Sequence, residues 1–332
     1  MFPAIISVRR IASPVKCADT MSTHSPASAA PLVVILGPTA SGKSALAITL
    51  AERLNAEILV CDSTQVYRHF DIGTAKVPVT AQREIPHHLV DLIEPHEIFT
   101  AGDYRRRAEE VLAGLRLRRK MPIVAAGTGL YLRALLEGLS EAPARSEDLR
   151  ETLRRRATQR GPEHLHRVLT RLDRESAERI APRDTQKIIR AIEMCVLAGK
   201  PVGEIHRRGR APLEGYAVRK IGLLPPRHDL YARIDARVES MLAAGWLDEV
   251  RQLIARAVPA DAKPFQFIGY SELRAHLEGC LSLPEAVAQI QQATRRFAKR
   301  QLTWFRKEPN VIWLAGFGDD PAIASAALGH LT

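Results

Sequence analysis

No stretch of the 332-residue sequence approaches the roughly 20 consecutive apolar residues that span a bilayer. The longest apolar runs are strand-length, such as Leu32–Leu36, so a membrane role is not expected. Cysteine is scarce and scattered: Cys17, Cys61, Cys195 and Cys280 form no C-x-x-C pair. Neither a zinc site nor a disulfide framework is indicated, and a reducing cytoplasm fits. A secretory cleavage pattern is also missing. Residues 1–30, rich in Ser, Ala and Pro without a sustained period and with Met21 close before the first strand, read as a disordered extension or an over-long start. There is no internal repeat.

What is present suffices for one full α/β core and a smaller attached unit, since 46% of the residues are hydrophobic. The 48 Lys and Arg against 37 Asp and Glu leave a net charge of +11, which favours a polyanionic partner. That excess is localised: between Arg145 and Arg210, 17 basic residues stand against 10 acidic ones, so this stretch alone carries +7.

Short apolar segments followed by turn or cap residues predict strands at Leu32–Leu36, Glu57–Cys61, His88–Ile93, Pro122–Ala126, Val218–Leu224 and Val311–Leu314. Helical patterns at Ser44–Leu54, Ala101–Arg119 and Gly129–Leu139 alternate with the first four, which implies a parallel sheet covered on both faces. Strand signals then vanish from Ser146 to Ala198. Four helical segments follow one another there, at Ser146–Gln159, Pro162–Leu172, Asp173–Ile180 and Asp184–Leu197, and predict an all-helical insert. The Gly/Pro/Arg-rich stretch to Pro212 reads as a mobile return to the sheet. Further helices are expected at Leu230–Ala243, Leu247–Ala257 and from Pro284 to about Lys307. The expected divisions are an extension at 1–30, a core at 31–144 and 213–316, the insert at 145–212 and a tail at 317–332.

Gly37-Pro38-Thr39-Ala40-Ser41-Gly42-Lys43-Ser44 matches G-x-x-x-x-G-K-[ST] between a strand and a helix, the context this phosphate cradle requires. Its backbone N–H groups converge on phosphate, Lys43 neutralises charge and Ser44 can ligate magnesium. The cradle does not say which bond breaks, because P–O cleavage and departure of a diphosphate from carbon both build charge on the same oxygens. The strand Pro122–Ala126 lacks the acidic residue that usually helps hold magnesium, although Asp91 ends another strand. Asp62-Ser63-Thr64-Gln65 follows a strand whose C-terminal end adjoins the cradle. Asp62 is open to two readings, a helix N-cap or a catalytic carboxylate. Arg237, by itself, reads as a solvated charge on an amphipathic helix.

"GPTASGKS", "DSTQVYRHFDIGTAK", "AGTGLYLRALLEGL" and "KRQLTWFR", in that order, resemble the tRNA dimethylallyltransferase (tRNA isopentenyltransferase) family over about Pro31 to Leu314. The resemblance implies a P-loop NTPase-like sheet and transfer of a dimethylallyl group from its diphosphate, with Mg2+, to the exocyclic amine of the adenosine just 3′ of the tRNA anticodon. It makes Asp62 the general base and sets Gly37 to Ser44 and Arg237 on the diphosphate. Asp62, Ser63, Thr64, Gln65, Thr128, Arg150, the run Gln186, Lys187, Ile188, Ile189, Arg190, and Gln266, Gly269 and Tyr270 then meet tRNA. So does Lys299-Arg300-Gln301-Leu302-Thr303-Trp304-Phe305-Arg306. The insert becomes the domain that closes on the anticodon stem-loop, and a monomer is expected. Departures are Ala126 for the first Gly of Gly-Gly-Thr, Ser44 for Thr, and Val77 before Pro78.

The C-terminal helix is open to two readings, a solvated face packed by its own aromatics or an RNA contact, and its match to the family segment favours tRNA. Gln291–Lys307 carries Arg295, Arg296, Lys299, Arg300, Arg306 and Lys307 without an acidic residue, and interleaves Phe297, Trp304 and Phe305. Cations beside aromatics suit phosphate contact with base stacking. Two other classes fit the cradle: a P-loop kinase of a nucleotide or small metabolite, and a nucleic-acid-binding ATPase module. The kinase would consume ATP without tRNA, and the module would hydrolyse ATP when RNA is bound.

Overall fold

Alternation in the first strand divides the molecule. Val33 and Ile35 face one apolar core while Leu32, Val34 and Leu36 face another, so the strand is buried on both sides. The computed structural model describes residues 29–140, 143–207 and 211–331. The expected extension falls outside the described residues apart from 29 and 30.

The first half contains β1 (Ala30–Leu36), α1 (Lys43–Leu54), β2 (Ala56–Cys61), β3 (His87–His88), α2 (Ala101–Leu117), β4 (Met121–Ala126) and α3 (Gly129–Glu137). The insert holds α4 (Glu147–Arg160), α5 (Pro162–Leu172), α6 (Arg174–Arg179), α7 (Thr185–Ala198) and α8 (Val202–Arg207). The chain returns through β5 (Tyr216–Leu223), α9 (Arg227–Ala243), α10 (Trp246–Ala255), α11 (Tyr270–Leu277), α12 (Leu283–Phe305), β6 (Val311–Leu314) and α13 (Pro321–Gly329).

All six strands are parallel, in the order β3-β2-β4-β1-β5-β6. The ends of β1, β2 and β4 therefore meet at one edge, in register at Leu36, Cys61 and Ala126. α1 and α13 cover one face, and α2, α3 and the helices from α9 to α12 contribute to the other. This is the expected α/β class, and no helix among the described residues is long and apolar enough to cross a membrane.

The expected strand at His88–Ile93 shrinks to two residues, because Leu89 and Asp91 take φ of 69° and 53° and turn the chain away. Glu57, almost fully buried, anchors this edge by accepting hydrogen bonds from Arg118 at 2.9 and 3.0 Å and meeting His88 Nε2 at 2.7 Å. Three helices were not expected. α8 occupies part of the stretch read as a mobile return, whose residues 208–210 lie outside the described ones. α11 starts at the Gly269-Tyr270 turn. α13 turns the expected tail into a core element, burying Ile323, Ala324 and Ala327 beside α1. Its start was legible, since Asp320 caps Ala322 N–H at 2.8 Å and Pro321 occupies the first turn.

The insert has a core of its own, built from Leu153, Leu165, Leu169, Ile188 and Ile192 among others. Most of its charges neutralise one another locally: Arg145 and Arg154 pair with Glu147, Arg174 with Glu178, Arg183 with Glu163 and Lys187 with Asp184.

Candidate active site

The cradle forms at the end of β1, where Ala40 and Gly42 take φ of 62° and 86° and turn the loop into α1. A glycine pays nothing for that conformation, and Ala40 is one of the few residues here that bears its strain. Ser44 opens to solvent, whereas Ser41 is fully buried. Lys43 folds back so that Nζ donates to the Pro38 carbonyl at 2.8 Å. Burial pushes its pKa down to about 8, against the pull of the Asp62 charge upward and with a further push from Arg237 downward. An ammonium held this way gains most from an anion in the cradle.

Asp62 follows β2 directly and faces two ways. Its Oδ1 accepts from Thr64 N–H at 2.9 Å and Thr64 Oγ1 at 2.7 Å, closing a turn, and no helix follows. The helix N-cap reading is therefore corrected: the carboxylate caps a turn. Its Oδ2 lies over Gly127, where a β-carbon would stand 2.5 Å away, so only glycine leaves room for it. β2 and β4 are tied there by N–H groups of Gly127 and Thr128 donating to the Cys61 carbonyl at 3.0 Å, and by Ser63 N–H donating to Thr128 Oγ1 at 2.9 Å. The neighbouring Cys61 thiol is pushed up to about 12 by burial, which leaves it neutral and unfit as a nucleophile.

One cavity of about 1020 Å³ is lined by Thr39 to Ser44, Asp62 to Gln65, Thr128, Arg237, Gln266, Arg300, Gln301, Trp304 and Phe305. Arg237, on α9, thus joins the cradle and is no surface charge. Burial and the adjacent Arg233 both lower its pKa. Asp91 stays outside this lining and pairs with Lys76 instead. Among the described residues no cluster of three or more His, Cys, Asp or Glu could hold a metal ion.

Several side chains expected at tRNA are packed inside the protein. Ile188 and Ile189 belong to the insert core, Phe305 to the sheet core, and Tyr270 is buried with its hydroxyl donating to Glu249 at 2.6 Å. Gly269, φ 94°, lets α11 start flush against Trp246. Arg150 donates to the buried Glu193 at 2.9 and 2.7 Å, and Arg190 shares that carboxylate. Gln301 is nearly buried, and its amide bridges the cradle to β4: Oε1 accepts from Thr39 N–H at 2.7 Å and Nε2 donates to the Gly127 carbonyl at 2.8 Å. Arg295 is tied to Asp235 on α9. These side chains build the fold or the site wall.

The accessible remainder comprises Gln186 and Lys187 at the start of α7, and Arg296, Lys299, Arg300, Thr303 and Arg306 along α12. Gln266 is exposed as well, whereas Leu302 is half-buried, as is Trp304, whose ring carries the Arg133 guanidinium at 4.8 Å. A shallow basic pocket of about 350 Å³ opens beside it, lined by Arg133, Lys299, Arg300, Thr303, Trp304 and Lys307. Arg133 was not singled out in the sequence, although it stands within "AGTGLYLRALLEGL", because its pairing with Trp304 depends on a helix far along the chain. Arg233 was missed too, although it precedes Arg237 by four residues and so shares its helix face.

The IPP transferase family model matches residues 65–308, and the isopentenyl transferase model matches residues 30–84. The chain is 51% identical over 301 residues to a tRNA dimethylallyltransferase of Solibacter usitatus, covering 91% of this chain and 98% of that one. It is likewise 51% identical to that of Koribacter versatilis, covering 90% and 96%. Among solved structures it is similar to a tRNA isopentenylpyrophosphate transferase of Bacillus halodurans, with a TM-score of 0.66 and 36% identity, covering 91% of this chain and 96% of that one. It is also similar to a eukaryotic dimethylallyltransferase captured acting on tRNA, with a TM-score of 0.75 and 26% identity over 88% of this chain and 75% of that one. With half of its residues shared along nine-tenths of its length, and a P-loop sheet whose cradle and Asp62 line one cavity, the chain belongs to the tRNA dimethylallyltransferase family.

Proposed function

We propose that the chain transfers a dimethylallyl group from dimethylallyl diphosphate to the exocyclic amine of the adenosine 3′-adjacent to the tRNA anticodon. The products are N6-dimethylallyladenosine and diphosphate. The observation that carries the reading is the shared cavity, in which a carboxylate oxygen and a phosphate cradle line the same space.

The amine nitrogen attacks the first carbon of the prenyl chain as the bond from that carbon to the diphosphate oxygen breaks. Asp62 Oδ2 takes the proton, while Oδ1 stays fixed by Thr64. The negative charge that builds on the leaving group meets the cradle N–H groups, Lys43 and Arg237. Ile268, Ile290 and Phe297 give the prenyl chain an apolar wall. Magnesium, a hard ion that keeps several waters and takes oxygens from phosphates, suits the single exposed hydroxyl of Ser44 and would offset charge on the diphosphate. The adenine, in a loop, is unstacked at lower cost than a paired base. The anticodon stem-loop would lie across α12 and the start of α7, with Lys187, Arg296, Lys299 and Arg300 toward phosphates.

Incubation with labelled dimethylallyl diphosphate, magnesium and bulk tRNA, followed by nucleoside analysis, tests the reading. Label is expected in an adenosine. Transfer of the γ-phosphoryl group of ATP to any acceptor, with no prenylated nucleoside, would replace it with a kinase.

A further inference from the structure

The segment after β6 reaches back to the cradle from nearly three hundred residues away. Gly318 N–H donates to the Ser41 carbonyl at 2.9 Å. The two glycines at this contact exclude each other's side chains. A β-carbon on Gly42 would stand 2.6 Å from Gly318 N, and one on Gly318 would collide with the Gly42 carbonyl. Phe317 lies under the Arg233 guanidinium at 4.7 Å, and Asp319 accepts both arms of that guanidinium at 2.8 and 2.9 Å. Arg233 also lines the cavity with Arg237. α13 follows, packing Ile323, Ala324 and Ala327 into the core shared with α1.

We infer that Phe317–Asp319 is a latch that positions the diphosphate cradle: Gly318 sets the Ser41–Gly42 backbone, and Asp319 holds Arg233 back from Arg237. This rests on the diphosphate reading above. The cradle backbone has only a short loop to define it, and a rigid partner on its outer side keeps its N–H groups aimed before the anion arrives. The three residues are positioning residues and do not touch substrate.

The test uses the full chain and inorganic diphosphate with magnesium, titrated by calorimetry, beside tRNA affinity and thermal melting. Gly318→Ala changes no charge, and Gly318 has no left-handed φ, so alanine there probes the contact alone. Diphosphate affinity and KM for dimethylallyl diphosphate are expected to worsen about ten-fold, the equivalent of one charge-assisted hydrogen bond, while tRNA affinity holds. Asp319→Asn discriminates by sign. Charge alone predicts tighter anion binding when a carboxylate is removed, whereas the latch predicts weaker binding, by about three-fold for a pair this exposed. Ile323→Ala, which loosens α13 only, should lower the melting temperature and leave diphosphate affinity intact. Wild-type affinity in a folded Gly318→Ala, unchanged or tighter binding in Asp319→Asn, or an equal loss in Ile323→Ala would overturn the latch. Should Gly318→Ala fail to fold, Asp319→Asn decides. A wild-type chain that binds no diphosphate would remove the cradle reading, and the latch with it.

Discussion

At the residue scale, Asp62 divides its labour between its two oxygens, and that division sets what Asp62→Asn does. The asparagine carbonyl can keep the bonds from Thr64 that close the turn, so the fold is expected to melt as the parent does. An amide over Gly127 cannot take a proton, and general-base contributions are about 100- to 10,000-fold, so single-turnover transfer should fall by that order. Affinity for tRNA and for the diphosphate should change little. A stable variant with a near-parental rate would assign the proton to another group. Glu193 is the contrasting case, a buried carboxylate with a structural task. Burial alone would raise its pKa; the hydrogen bonds from Arg150 and Arg190 outweigh that and hold it at about 2. A folded-state pKa below the unfolded value means the stabilisation is complete above about pH 4.5 and is lost as pH falls toward 2. Glu193→Gln should therefore destabilise at neutral pH, and the gap between parent and variant melting temperatures should close as pH drops from 5 to 2.5. A gap independent of pH would show that the ionised pair contributes nothing.

At the element scale, α12 serves two masters. Its inner face builds the site wall through Gln301 and Phe305, its outer face carries Arg296, Lys299 and Arg300, and Arg306 and Lys307 follow its end. Changing Arg296, Lys299 and Arg300 together to Ala should weaken tRNA binding and flatten its salt dependence. Each lost phosphate contact removes roughly 0.7 to 0.9 from the slope of log affinity against log salt. An unchanged slope would leave these cations facing solvent only. Arg295, alike in sequence, is left out because Asp235 holds it. That difference shows where sequence legibility ends. Local periodicity and capping were enough for the β1 to α1 cradle, for α5 and for the parallel class, because each depends on neighbours in the chain. The roles of Gln301, Arg295 and Asp319 depend on partners 262, 60 and 86 residues away, which no periodicity encodes. A motif likewise gives the order of residues but not which of them face inward: Ile188, Ile189 and Tyr270, set at tRNA by the family resemblance, are buried.

At the scale of the whole molecule, the net charge of +11 already discounts every acid, and +7 of it lies between Arg145 and Arg210 even though several cations of that stretch pair with its own acids. Accessible cations stand on two bodies, α12 on the sheet domain and the insert, where Arg155, Arg156 and Arg160 are exposed on α4 and Lys187, exposed although paired with Asp184, on α7. The insert has its own core and the cavity lies in the other body, so a tRNA that delivers its adenine to Asp62 while touching α7 must bridge the two. Bridging has a measurable signature. If the contacts act independently, the α12 triple variant and Lys187→Ala should each reduce the salt slope, and the combined variant should lose the sum, within about 0.3–0.5 kcal/mol of additivity in binding free energy. Transfer under saturating tRNA should then be nearly parental in Lys187→Ala, which does not line the cavity; Arg300 does, so the rate of the α12 triple variant reports the cavity wall as well. The measurement is tRNA affinity at four or five salt concentrations for parent, both parts and the combination, beside single-turnover rate. A combined variant no weaker than the α12 triple alone would mean that the insert does not hold the anticodon arm through α7, and would move its role to some other part of the tRNA.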